Sequence, residues 1–485
     1  MSNVFTANKT KTILVAFTVV LLAVLLGYLM ATQLLIGIGF SGLIIGIAVI
    51  LICLLNTEAG LYINLIYTFF AFHASRIFFN DQFPVGVFTD VLIVATLFSF
   101  FVQRISLKKN IEQFIHTPVL ICILIVYAYV ILQVANPYAH SVSGWFQAFR
   151  KSTETLLLLL ISYNVFKDYK SIRKFLIFLF VLCTVVGLYG CIQQWHGLFP
   201  SEYEWVMADE KRFGLIYING EFRKFSTFSD PTSFGVLMAA AAILFMVIAW
   251  NQTKRLNKFI LFAGVIVMLL GMAYSQTRTA NAMVVAGLVM FILLTLDKRN
   301  TQIFFALFAI AFLMLLYLPI YSNPTLNRFR TTFIGSNDES FKVRETNRAF
   351  IQPYIYTHPI GGGLCTTGES GKLYNPGHVL AGFPPDSGYL RTALEGGWIG
   401  LILICILYFV VMKTGIKNYF ESNNKQVKYL YAACLASIFS FYIAEFAQDI
   451  LGQITNVVLY YPSIAIILKL KTLNQNTDVV AIPET

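Results

Sequence analysis

Apolar residues in this chain come in about fourteen runs long enough to approach a bilayer crossing, and that succession constrains the fold more than any single motif does. The runs are 12–30, 34–55, 61–78, 87–103, 117–134, 147–166, 174–192, 233–250, 257–275, 279–296, 302–320, 388–412, 427–446 and 450–470. Backbone in hydrocarbon must satisfy its own N–H and C=O groups, so such runs become helices. Charged residues make up 12% of the sequence and hydrophobic ones 57%, about half the charge of an ordinary soluble domain. The expected fold is an all-α polytopic membrane protein, with residues 1–485 forming a single integral membrane domain. Segment 13–30 reads as the first transmembrane helix rather than a cleaved signal, because no small-residue cleavage site follows it and another run begins at once.

Charge orients the runs. With the N-terminus inside, the short inner connections hold Arg104, Lys108 and Lys109; Lys167, Lys170, Arg173 and Lys174; Lys254, Arg255 and Lys258; Lys298 and Arg299; and Lys413, Lys417, Lys425 and Lys428. Apart from 56–60, every second connection is basic, the pattern of cytoplasmic loops. The net charge of +11 then reflects topology, and nucleic acid is not an expected partner. Two outer breaks are long, at 193–232 and 321–387, and the tail 471–485 falls inside. In the second break the spacing of Val343, Phe350, Ile351 and Ile355 predicts an amphipathic helix over 343–357, lying on the membrane face. The seven cysteines lie mostly within apolar runs and form no metal-type pair, so neither a disulfide framework nor a zinc site is expected.

Four constellations on the outer side carry chemistry. Arg223-Lys224-Phe225-Ser226-Thr227-Phe228-Ser229-Asp230-Pro231-Thr232-Ser233 leads directly into a span. It reads either as a capped helix start behind a solvated arginine or as an anion-binding helix N-terminus. Ser275-Gln276-Thr277-Arg278-Thr279-Ala280 puts an arginine between two apolar runs with almost no loop around it. A guanidinium there costs several kcal/mol unless it is paired or reaches the headgroups. Snorkelling, a bridge to Glu445 or Asp449, and an anionic ligand are the open readings. Arg344 followed by Thr357-His358-Pro359-Ile360-Gly361-Gly362-Gly363 offers either a tight turn or a glycine loop around a phosphate. Pro384-Pro385-Asp386-Ser387-Gly388-Tyr389-Leu390-Arg391 precedes Glu395-Gly396-Gly397-Trp398-Ile399-Gly400-Leu401. There Asp386 either caps the coming helix or serves as a general base, and His378 is the other outer acid–base candidate.

These residues resemble the O-antigen ligase and O-antigen polymerase family of bacterial envelope glycosyltransferases, most closely over 220–412. The matching features are the Arg-x-x-(small)-Thr-Phe-x-x-Pro lead-in at 223–231 and the Ser-x-(Ser/Thr)-Arg-(small)-Ala turn at 275–280. They continue with Arg344 and the His-Pro-x-Gly-x-Gly stretch at 358–363, then Tyr-Leu-x-x-x-x-Glu-x-Gly-x-x-Gly-Leu at 389–401. Members resembling the ligases carry His-Asn or His-Ser just before the Tyr-Leu pair, where this chain has Asp386-Ser387. That departure points to the polymerase-like members.

The resemblance implies a GT-C-like fold and an inverting, metal-independent transfer. A glycan leaves a polyprenyl (undecaprenyl) diphosphate carrier at the outer face of the bacterial cytoplasmic membrane. The acceptor is a sugar or glycolipid, and no cofactor is needed. It assigns Arg278, Arg223 and Arg344 to the diphosphate, whose growing negative charge fixed guanidiniums stabilise. Asp386 or His378 would take the proton of the acceptor hydroxyl. Outer-loop aromatics, among them Tyr203, Trp205, Tyr217, Tyr354, Tyr356 and Tyr374, serve either as sugar platforms or as an interfacial belt. Metal-using membrane glycosyltransferases place carboxylates in the first outer loop, which here is Ala31-Thr32-Gln33. Glu202, Glu204, Asp338 and Glu339 read as solvated surface. A ligase acting on a glycolipid or protein is the alternative within the family. A flippase is the alternative outside it, using His73, Arg76, Arg150, Lys151 and Glu154 along a path.

Overall fold

The computed structural model describes residues 17, 20–103, 114–218, 220–317, 330, 332–333 and 339–477. Arg104, Lys108, Lys109, Arg328, Asp338 and the tail residues 478–485 lie outside them. So do most of 12–19 and the end of the 302–320 run. Among the described residues, eleven helices are long and apolar enough to cross a membrane, and a shorter apolar helix, Val20–Thr32, precedes them. Two further long helices carry charge, Thr57–Phe79 near its ends at Glu58 and Arg76, and Val142–Val165 within its length at Arg150, Lys151 and Glu154. Together these account for the fourteen apolar runs one for one. The all-α polytopic expectation holds, with a two-stranded ribbon, Tyr217–Ile218 against Glu221–Phe222, in the break at 193–232.

Three helices form the centre. Pro231–Trp250, Lys425–Glu445 and Ile454–Leu473 are about four-fifths buried, whereas Ile36–Leu55 and Arg299–Tyr317 are almost wholly exposed. Small residues explain the centre, because Ala239–Ala242 are fully buried and let neighbouring helices approach closely. Ser437 donates to the Ala240 carbonyl at 3.1 Å. A Cβ on Gly287 would meet Ile243 at 2.6 Å. Peripheral helices instead present leucine, isoleucine and valine outward, as a lipid-facing surface does.

One predicted span is divided. The run 388–412 becomes Gly388–Glu395, a short helix, followed by Gly397–Glu421. Gly397 adopts φ +68, and a Cβ there would lie 2.0 Å from the Pro359 carbonyl oxygen. The 358–363 stretch therefore docks into the break.

The connections gather at two ends. At one, Lys174 bonds Glu58 at 2.5 Å, Lys298 lies over Tyr429, and Tyr419 donates to the Leu294 carbonyl. At the other, Trp205 reaches Asp81, Asn136 donates to Gly361, and Ser233 reaches Gln453. The charge pattern of the sequence assigns the first set to the inside and the second to the outside.

Candidate active site at the crowded end

The helix Arg255–Tyr274 ends at Ser275, the chain reverses through Gln276 at φ +51, and Arg278 opens the next helix, Arg278–Thr295. This reversal leaves no room for a loop, and Arg223 secures it. Its Nε donates to the Ser275 carbonyl at 3.0 Å, and one terminal nitrogen donates to Thr277 Oγ1 at 3.0 Å. The other donates to the Leu215 carbonyl at 3.2 Å. With 8% exposure, Arg223 is buried rather than solvated. Lys224 N–H adds a bond to the Tyr274 carbonyl at 3.1 Å. Thr277 Oγ1 also donates to the Pro231 carbonyl at 3.1 Å, which joins the turn to the central helix. Gly235 permits this approach, since a Cβ there would come within 2.2 Å of Ser275 Oγ.

Asp230 caps Pro231–Trp250, its carboxylate accepting from Thr232 N–H at 2.9 Å and Ser233 N–H at 3.0 Å. The first turn is thus satisfied by a side chain, where the sequence also allowed a bound anion. Ser233 Oγ continues the network to Gln453 Oε1 at 2.8 Å. The 445–453 turn is closed by Glu445, whose carboxylate accepts from Ile450 N–H at 2.8 Å and from Leu451 N–H. Asp449 pairs with Arg391. These are the engagements of the two carboxylates considered for Arg278.

The tyrosine–leucine signature is tied to the same turn. Ser387, not Asp386, caps Gly388–Glu395, and its hydroxyl donates to the Glu445 carbonyl at 2.9 Å. Tyr389 donates to the Tyr442 carbonyl at 3.0 Å. Gly388 packs directly on the Glu445 carboxylate, so the site has no space for a side chain at that position. Asp386 is half-buried immediately before this contact.

Glu395 organises the preceding loop. Its carboxylate accepts from Cys365 N–H at 2.9 Å, from Thr367 N–H at 3.2 Å and from the Thr367 hydroxyl. Gly362 and Gly363 N–H donate to the Leu394 and Glu395 carbonyls at 2.8 and 3.0 Å. The glycine triplet is a packing device, not an open phosphate loop. A Cβ on Gly361, Gly362 or Gly363 would collide with Glu395, Tyr354 or Ala139 at 2.4–2.6 Å.

His378 sits behind this triplet. It is buried, its ring lies 5.0 Å from that of His140, and its Nδ1 accepts from Leu380 N–H at 3.1 Å. Burial pushes its pKa below the ordinary value, His140 and His358 add to that, and a bond to the Tyr138 backbone opposes it. The ring is neutral at pH 7 with its Nδ1 lone pair already used. Asp386 and His378 therefore occupy different surroundings.

Arg344 is half-buried on the helix Glu339–Thr357, the element predicted over 343–357. One turn further along, Arg348 donates to the Phe446 carbonyl at 2.9 Å and covers the Phe446 ring at 4.6 Å. This helix thus crosses the end of Lys425–Glu445 beside the 445–453 turn. Ile351 is buried with Leu380 and Leu394, while Val343 and Phe350 remain exposed.

Sequence reasoning missed three positioning groups. Glu202 was read as solvated, yet it is 2% exposed and accepts from Tyr189 Oη, Gln193 Nε2 and Phe199 N–H at 2.8–3.2 Å. Arg391 and Glu395 lie within the quoted signature, but their partners are distant in sequence. An arginine and a glutamate four residues apart on an apolar helix were the available signal.

Residues 263–405 match the O-antigen ligase family model. That stretch contains Arg278, Arg344, His378, Asp386 and the 389–401 signature. No protein of curated function matches the chain.

Proposed function

We propose that this chain, whose residues 263–405 match the O-antigen ligase family model, is a membrane glycosyltransferase of the polymerase kind. It transfers a glycan from a polyprenyl diphosphate to a sugar hydroxyl of a second lipid-linked unit, at the outer face of the bacterial cytoplasmic membrane. The observation that carries this reading is the Arg223-secured turn at 275–278. A buried guanidinium fixes the backbone that delivers a second guanidinium to a helix start, within the family-matched stretch.

In this reading Arg278 contacts the diphosphate, Arg223 holds it in position through Ser275 and Thr277, and Arg344 approaches from the helix above the 445–453 turn. Asp386 accepts the proton of the acceptor hydroxyl as that oxygen attacks the anomeric carbon. The bond from that carbon to the diphosphate oxygen breaks on the opposite face, which inverts the configuration. The departing polyprenyl diphosphate takes the bonding pair, and the guanidiniums stabilise its charge without a metal ion. Two features support Asp386 over His378 as base: the occupied Nδ1 of His378, and the position of Asp386 beside the turn that meets Ser233. The Asp386-Ser387 pair, where ligase-like members carry histidine, supports polymerase over ligase. Arg76 and Arg150 are held by backbone carbonyls and by Asp90 near one end of the bundle. That argues against a charged path through it.

The test compares Asp386→Asn with His378→Ala in a strain lacking the chromosomal copy. Asp386→Asn is expected to abolish long glycan chains while lipid-linked single units still accumulate and the protein inserts. Rates fall by about 10²–10⁴ when a general base is lost. Normal chain lengths in Asp386→Asn would refute its role. Complete chains left on the carrier in the deletion strain would instead identify a ligase.

A further inference from the structure

A cavity opens at the same end, beside the 223–230 segment. It has a volume of about 410 Å³ and is lined by Phe72, Arg76, Asp81, Phe83, Trp205 and Ser229, with Ser75, Val85 and Gly86 completing its wall. The volume falls in the range of small-ligand sites, about 300–1,000 Å³. The connection at 80–86 supplies one side and the 193–232 break the other, joined by Trp205 Nε1 donating to Asp81.

Arg76 is the unusual member. Its terminal nitrogens donate to the Phe228 carbonyl at 2.8 Å and the Ser226 carbonyl at 3.0 Å. Its guanidinium carbon lies 4.8 Å from the Trp205 ring centre and 4.6 Å from that of Phe225. The side chain is 6% exposed, and its Nε has no hydrogen-bond partner among the described residues. A buried charged donor left without an acceptor is rare and costly, and a ligand oxygen would satisfy it. Aromatic walls, one guanidinium edge, one carboxylate and one hydroxyl suit a sugar ring, which offers apolar C–H faces and a rim of hydroxyls. They suit a diphosphate less well, because Asp81 puts a carboxylate in the wall and Arg212 already pairs with it at 3.6 Å.

The geometry points to this cavity as the subsite for the acceptor sugar. Phe83 would cover one ring face, Arg76 Nε would donate to a ring hydroxyl, and Ser229 and Asp81, which also pairs with Arg212, would accept from others. This assignment rests on the glycosyl-transfer reading above. Ser229 precedes the Asp230 cap, so the cavity and the Arg278 turn are joined through one short, rigid segment.

Phe83 and Ser229 provide the test, because both line the cavity and neither side chain makes the Arg76 hydrogen bonds. The donor probe is the lipid-linked repeat unit that accumulates in cells lacking the protein. The acceptor probe is the glycan released from that lipid by mild acid. Phe83→Ala and Ser229→Ala should each raise the acceptor KM about tenfold or more, the loss expected when a close ligand contact is removed, and leave the donor KM unchanged. An unchanged acceptor KM in both variants, or a raised donor KM instead, would overturn the assignment. Absence of any transfer by the wild-type protein would overturn the glycosyl-transfer reading itself, a separate result.

Discussion

Arg223 reaches the 275–277 turn from 52 residues away, and its three bonds go to backbone and hydroxyl groups of this protein. In the proposed site this separates positioning from contact: Arg223 shapes the turn and Arg278 meets the anion. The sequence assigns both arginines to outer breaks but could not show this division, because each motif reads alone as a cation before a helix. His378 presents a similar case. Its lowered pKa means that the unfolded chain takes up a proton near the ordinary value of 6.5 while the folded protein resists it. The stability that His378 contributes is therefore complete above that pH and is lost as pH falls through it. Thermal unfolding in detergent should show a melting temperature that declines below about pH 6.5, and His378→Gln should reduce that slope. An identical slope in the variant would contradict the buried, neutral ring.

Helices were the most legible elements, since every apolar run but 388–412 produced a single one. The break in the 388–412 run was not legible, because both halves are apolar and glycine pairs are tolerated within spans. What forces it is a contact: Pro359 and Gly361 occupy the space beside Gly397. The His-Pro-x-Gly-x-Gly stretch and the tyrosine–leucine signature are thus two faces of one joint, held by Glu395 and Arg391. Gly397→Ala should therefore destabilise the protein by more than about 1 kcal/mol, from the left-handed backbone alone. Gly214→Ala, where a Cβ meets nothing within 4 Å, should be neutral. Equal melting temperatures for the two variants would contradict the joint. The long breaks were legible as folded segments from their mixed composition. Their internal supports, Glu202 above all, were not, because a buried carboxylate and a solvated one look alike in sequence.

At the scale of the molecule, the buried central helices and Arg278–Thr295 carry the turns that meet at one end, and lipid-facing helices surround them. Arg278–Thr295, Lys425–Glu445 and Pro231–Trp250 bring together the 275–278 turn, the 445–453 turn and the Asp230 cap. A helix and a loop from the second long break lie across them. Such a site at one end of a bundle suits chemistry on a lipid-borne substrate whose carrier stays in the bilayer. A carrier that moves substrate across needs groups along its length. Transfer by the purified protein in detergent separates the two most directly, because no membrane sides exist there. Wild-type protein given the accumulated lipid-linked unit should produce elongated glycan and free polyprenyl diphosphate. Arg278→Ala, at equal melting temperature, should produce neither, since removing one fixed donor from such a site costs about 10²–10³ in rate. No elongation by the wild type, or undiminished elongation by Arg278→Ala, would contradict a glycosyl transfer built on that arginine.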